Sequence, residues 1–192
     1  MFKRQFKSYR GTISSPDDLY KNLLEYSFKL LTRRSYSIQE ISDKLQKRAF
    51  LVMDPTLDGE PAQKLSEDTI PKIVQRLLDY KYLNDQDFAK LFIQDQLVRK
   101  PQGIRLLKEK LKSKGIGKAM VEEVIENINL DEMAQALSAL EKKKKSLKGV
   151  HPQKIKEKLF RFLISRGLDT GVILKILKYP VQLPKMLVAC QS

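Results

Sequence analysis

One hexapeptide form recurs three times in this chain and frames everything between its copies. LQKRAF at 45–50, LKSKGI at 111–116 and LISRGL at 163–168 each hold a leucine, two variable residues, a cation, a small residue and an apolar one. Four residues before each leucine stands another apolar side chain: Ile41, Leu107 and Leu159. After Ile116, apolar residues follow at 120, 121, 124 and 125; after Leu168 they follow at the same offsets, 172, 173, 176 and 177. Self-similarity of this kind marks a repeat architecture. The form itself reads as a helix stop. Gly115 and Gly167 can adopt the left-handed conformation that ends a helix, and Ala49 holds the same place with less tolerance for it. Each hexapeptide is therefore expected to close the middle helix of a three-helix set.

Helix signals fill the intervals. Ser15, Pro16 and Asp18 form a capping box with proline at the first helical position. Leu19, Leu23, Leu24, Phe28, Leu30 and Leu31 follow at helical spacing. Ser37 and Glu40 make a second capping box, and Asn84 or Asp85 caps a fourth helix. A third helix is read from TIPKIVQRLLDYKY, and no segment alternates as a strand would. The expected fold class is all-α: three tandem three-helix repeats in an elongated, curved array. Repeat one spans 16–83, repeat two 84–128 and repeat three 129–179, with a basic extension at 1–15 and a tail at 180–192. Leu45 and Leu111 are 66 positions apart, Leu111 and Leu163 only 52, and the excess is assigned to a loop insert at 51–68. That stretch has two prolines, one glycine and five acids.

The partner class follows from charge. Of 192 residues, 37 are basic and 23 acidic, a net charge of +14. Such a surplus favours nucleic acid or another polyanionic surface. Charge is also segregated. Residues 99–118 carry eight cations and one acid, and 142–158 carry eight lysines and one acid. Between them, 119–141 holds six acids and no cation. Arg105, Lys108 and Lys112 recur at helical spacing away from Leu107 and Leu111, which predicts an outward stripe. Lys154, Lys158 and Arg161 predict a second. Most charge runs are simply solvated faces. One-signed segregation at equivalent places in two repeats favours binding.

Other classes are disfavoured. One cysteine, Cys190, and one histidine, His151, make no disulfide framework, metal pattern or histidine-based triad. No phosphate-binding glycine loop is present. The chain is read as a non-enzyme without cofactors. No stretch approaches the ~18–20 apolar residues of a membrane span, so no membrane partner is expected and the chain is read as cytoplasmic. The aromatic residues Phe28, Phe88, Phe92, Phe160 and Phe162 are read as core, leaving Tyr36, beside Arg33 and Arg34, as the base-stacking candidate.

Three stretches in order resemble one family. LLTRRSYSIQEISDKLQKRAF is similar to the first-repeat signature of the RecX regulatory proteins. LLDYKYLNDQDFAKLFIQDQLVRKPQGIRLLKEKLKSKGI resembles that family's most characteristic stretch, and FRFLISRGLDTGVILKIL its closing repeat. The likeness covers roughly residues 19–178. Lys81 and Ala49 stand where the family usually has glycine, and Asn84 replaces the first aspartate of a turn. The resemblance implies a modulator of the RecA recombinase in DNA repair, homologous recombination and the SOS response. Such a protein binds the RecA–single-stranded DNA filament and inhibits strand exchange, ATP hydrolysis and co-protease function. It implies a monomer partnered by RecA and single-stranded DNA, with duplex DNA as an alternative. The residues expected to meet DNA phosphates or the filament are Arg33, Arg34, Arg99, Lys100, Arg105, Lys108, Lys112, Lys114, Lys142, Lys143, Lys144 and Lys145. Two rival readings stay open: a stand-alone helical DNA-binding regulator, and a protein adaptor whose lysines only solubilise it.

Overall fold

The computed structural model describes residues 13, 15–53, 60–147 and 151–178, with the side chains at 60–63, 144, 145, 152 and 153 outside that description. Among the described residues there are nine α-helices and no strand. They are α1 (Pro16–Leu31), α2 (Ile38–Val52), α3 (Glu60–Asp79), α4 (Asp85–Arg99), α5 (Ile104–Ser113), α6 (Lys118–Glu126), α7 (Glu132–Lys144), α8 (Pro152–Ser165) and α9 (Thr170–Lys178). A 3₁₀ turn, Lys145–Leu147, follows α7. The chain divides into two compact units, 1–88 and 89–192.

In the first unit, α1, α2 and α3 pack on one another. Leu19, Leu23 and Leu30 of α1 meet Ile41, Leu45, Ala49 and Val52 of α2 and Ile70, Ile73 and Leu77 of α3 in one apolar core. The α2 set recurs every three or four residues, the stripe a helix needs to bury one face. Ile13, inside the expected N-terminal extension, also belongs to this core, and its N–H donates to the Val52 carbonyl at 3.1 Å. Residues 1–12 and 14 of that extension and the 180–192 tail lie outside the described residues.

Three expectations are corrected in this unit. LQKRAF is not a corner. Helix α2 runs through it to Val52, Ala49 is fully buried, and the Ala49 carbonyl accepts the Met53 N–H. Alanine has the highest helix propensity and no ready access to the left-handed region, so nothing local stops the helix there. Phe50 is 82% exposed on α2. The 51–68 insert is also mostly helical: 51–52 close α2, and 60–68 form the first turns of α3. Ser66 and Thr69 are buried there, and Gln46 of α2 donates to the Ser66 hydroxyl. Packing against α2 thus carries α3 back past the helix start expected at Thr69, with Pro71 inside it. Residues 54–59 lie outside the description. Ser15 does precede α1, but its side chain makes no cap hydrogen bond; Ser37 Oγ does, accepting from the Glu40 N–H at 3.1 Å.

The true corner of the first unit ends α3. Lys81 N–H donates to the Leu78 carbonyl and Tyr82 N–H to the Leu77 carbonyl, with Lys81 at φ 59°. This is a Schellman stop with a side chain in the left-handed position. Lys81→Gly is expected to stabilise the chain by about 1 kcal/mol in denaturant titrations, because glycine avoids the Cβ clash of that conformation.

In the second unit both remaining hexapeptides behave as expected. Gly115 (φ 80°) and Gly167 (φ 74°) are left-handed. Ile116 and Leu168 return N–H bonds to Leu111 and Leu163, and Gly115 and Gly167 to Lys112 and Ile164. Behind these corners Ala136, Leu140, Leu159, Leu163, Ile173 and Ile176 form the core of α7, α8 and α9. Leu107 and Leu111 of α5 and Val121 and Val124 of α6 are buried as well. Asn84 is the cap of α4, its Oδ1 accepting the Gln86 N–H at 2.9 Å and the Asp87 N–H at 3.2 Å.

Candidate nucleic-acid interface

Four elements of the second unit, α5, α7, α8 and α9, meet through backbone groups and one carboxylate. Gly103, where α5 begins, donates its N–H to the Arg166 carbonyl at the end of α8, at 2.9 Å. A Cβ on Gly103 would lie 2.3 Å from the Gly167 oxygen, so only glycine admits this approach. Glu132, at the start of α7, accepts the Ile104 N–H at 2.6 Å and the Asp169 N–H at 3.1 Å. It thereby serves the N-termini of α5 and α9 together, where backbone donors lack helical partners and a negative charge is favoured. Asp169 in turn caps α9 by accepting the Gly171 N–H at 2.7 Å.

This junction decides which cations of the second unit gather. Lys110 Nζ donates to Gln96 Oε1 and Gln102 Oε1, each at 2.6 Å. Burial, and then the charges of Arg166 and Lys100, hold its ammonium below the usual lysine range. Arg166 also lies over the Phe162 ring, 5.1 Å from its centroid, and Lys143 approaches the same ring at 5.3 Å. Lys100, Lys110, Arg166 and Lys143 are thus linked through shared neighbours, although they come from the end of α4, α5, the end of α8 and α7. Of the four, the sequence singled out Lys100 and Lys143. Lys110 lay off the expected stripe, and Arg166 was taken only as the cation of a helix stop.

The expected stripe on α5 is not uniformly outward. Arg105 Nη2 donates to the Ile164 carbonyl at 2.7 Å, which ties α5 to α8. Lys108 forms an ion pair with Glu122 of α6. The hydrogen bond from Lys108, together with the charges of Lys108, Lys112 and Lys118, holds the Glu122 carboxyl below the usual glutamate range. Lys112 is exposed, and Lys114 is half-buried at the α5 C-cap. Arg99 is exposed but paired with Asp95 at 2.9 Å. On α8, Lys154 and Lys158 are exposed, while Arg161 pairs with Glu157. Lys142 is exposed; Lys144 and Lys145 fall outside the residues whose side chains are described. Charge reversal at Arg105 would therefore test the junction as much as binding, and Lys112 is the cleaner probe. Glu122→Gln is expected to tighten single-stranded DNA binding by releasing Lys108. One more phosphate engaged steepens the log–log salt slope by ~0.7, readable by fluorescence anisotropy across a salt series.

The first unit holds the other two expected residues. Arg33 is exposed. Arg34 bonds Glu40 at 3.2 Å through both terminal nitrogens and covers the Tyr36 ring at 3.7 Å. Tyr36 is only 7% exposed, so it offers no stacking face and the expectation that it would is corrected. Phe28 is corrected in the opposite sense: read as core, it is 36% exposed.

Comparison with known proteins places these features. Residues 84–125 match the model of the second three-helix domain of RecX, and residues 131–177 that of the third. The chain is 31% identical over 153 residues to the regulatory protein RecX of Chlorobium phaeobacteroides, covering 80% of this chain and 89% of that protein. It is 32% identical to the one from Acinetobacter baylyi, of which it covers 84%. A relative from Clostridium botulinum is 30% identical, and the chain spans 66% of its length. The crystal structure of RecX from Lactobacillus salivarius shares the fold at TM-score 0.64 and 20% identity, over 84% of this chain and 96% of that one. With both glycine corners inside the matched domains and identity above 30% over 84–89% of two relatives, the chain belongs to the RecX family.

Proposed function

We propose that this protein regulates the RecA recombinase by binding the RecA–single-stranded DNA filament, and that it inhibits strand exchange, ATP hydrolysis and co-protease function. The observation that carries the reading is the cation group of Lys100, Lys110, Arg166 and Lys143. Lys110 feels the charges of Arg166 and Lys100, and Arg166 and Lys143 share the Phe162 ring, a gathering of cations that a polyanion would relieve. The chain's membership of a family of proteins named as regulators supports a regulatory outcome over catalysis. Among the described residues no helix is long and apolar enough to cross a membrane. Exposed Lys112, Lys142, Lys154 and Lys158 add further cations to the surface of the second unit. Several weak phosphate contacts made by one folded unit add through effective concentration.

The test is DNA-dependent ATP hydrolysis by RecA from the same organism on single-stranded DNA, with this protein titrated well below RecA. A clear drop at substoichiometric ratios is expected, as for an agent acting on filaments rather than on monomers. No effect at any ratio would overturn the proposal. Sequence-specific duplex binding without RecA would replace it with the stand-alone DNA-binding reading.

A further inference from the structure

The first unit carries exposed aromatic rings that the cation argument does not use. Phe28, at the end of α1, and Tyr82, just beyond α3, meet edge-to-face with ring centroids 5.2 Å apart and planes at 79°. Both remain open to solvent, Phe28 by 36% and Tyr82 by 54%. Tyr80, two residues before Tyr82, is 65% exposed, and the Arg76 guanidinium lies 5.8 Å from its ring centroid. Lys81 stands between the two tyrosines, exposed, in the left-handed conformation where glycine would be less strained. None of the three rings belongs to the buried core of this unit, to which Leu30, Leu77 and Leu83 do belong. A strained, exposed lysine between two exposed tyrosines is an outlier of the kind that function retains.

We propose that Phe28, Tyr80 and Tyr82 form a stacking platform for the bases of single-stranded DNA, with Lys81 and Arg76 meeting the adjoining phosphates. Aromatic faces combined with cations are what a single strand offers partners to: every base has a π-face and every linkage a charge. A duplex keeps its bases stacked inside, so the platform selects single strands. A protein surface is the competing occupant; it would match the rings but gain less from cations placed beside them. The inference deepens the filament reading, naming bases as what the first unit recognises while the second unit engages phosphates.

The experiment measures binding of the full chain to a labelled oligodeoxythymidylate and to an abasic strand of the same length, by anisotropy. The wild type is expected to prefer the base-bearing strand about tenfold or more. In the Phe28→Ala/Tyr82→Ala variant that preference should vanish with the salt slope unchanged, and Tyr82→Phe should keep it. Lys81→Gly separates folding from binding: it should raise stability yet bind more weakly, with a slope shallower by ~0.7. Equal binding of both strands by the wild type would overturn the proposal. So would a double variant that keeps the preference, or one that loses only its effect on RecA, since the rings would then contact protein. The base preference is read without RecA, so failure of the filament reading in the ATP hydrolysis assay stays distinguishable from failure here.

Discussion

Gly167→Ala is expected to destabilise the second unit by about 2–5 kcal/mol. Two effects add. Gly167 sits at φ 74°, where a Cβ costs about 1–2 kcal/mol. That Cβ would also lie 2.4 Å from both the Cβ and the backbone nitrogen of Leu106, an overlap relieved only by moving α5 off the α8 corner. Forced overpacking of this kind costs a further ~1–3 kcal/mol. Gly103→Ala should cost about 1–3 kcal/mol by the overlap alone, since its Cβ would meet the Gly167 carbonyl at 2.3 Å and the Leu168 Cα at 2.6 Å. The built-in comparison is Gly117→Ala. Gly117 precedes α6 with φ −61° and nothing within 4 Å of a Cβ, so its loss should be about 1 kcal/mol or less. Thermal unfolding followed by circular dichroism reads all three, with the midpoint of the first two falling by about 10 °C. Equal midpoints for Gly103→Ala and Gly117→Ala would show that the α5–α8 approach is not maintained in solution. Because Gly103 and Gly167 hold Lys110 near Arg166, both variants should also lose DNA affinity below their melting range.

Glu132→Ala is expected to cost about 2–4 kcal/mol, far more than a half-buried surface glutamate usually does. Its two oxygens accept the backbone N–H groups of Ile104 and Asp169, from separate helix starts, at 2.6 and 3.1 Å. A hydrogen bond to a charged acceptor is worth about 1.5–3 kcal/mol; the part-buried Ile104 N–H loses that in full, while water partly replaces the partner of the exposed Asp169 N–H. Glu132→Gln retains one acceptor oxygen and loses the charge that favours helix N-termini, so it should recover about half of the loss. Urea denaturation of the three proteins gives the comparison. If alanine and glutamine behave alike, charge rather than bonding geometry supplies the effect.

The two glycine corners were legible because a Schellman stop is a local event. Leu111, Lys112, Gly115 and Ile116 lie within six residues, and the same spacing in 163–168 produces the same bonds. Asn84 was legible as a cap for the same reason, its oxygen reaching only to Gln86 and Asp87. LQKRAF misled because the pattern matched while the residue that performs the stop did not: Ala49 has no route out of the helix, and α2 continues through it. Helix α3 misled because its first turns draw on a partner from another helix, Gln46 to Ser66 across 20 positions.

The candidate interface divides along the same line. Local order alone determined that the chain is helical, that it turns at Gly115 and Gly167, and that its cations cluster in two runs, since propensities, caps and composition act over a few residues. Only the tertiary structure decided what those cations do. Arg105 finds its acceptor 59 residues away and Lys108 its carboxylate 14 away, so neither simply projects outward as helical spacing predicts. Lys110 and Arg166 become neighbours, and Phe28 and Tyr82 an exposed ring pair, because helices distant in sequence pack side by side. Periodicity specifies a face, and only packing specifies whether that face meets solvent, a carbonyl or an opposite charge.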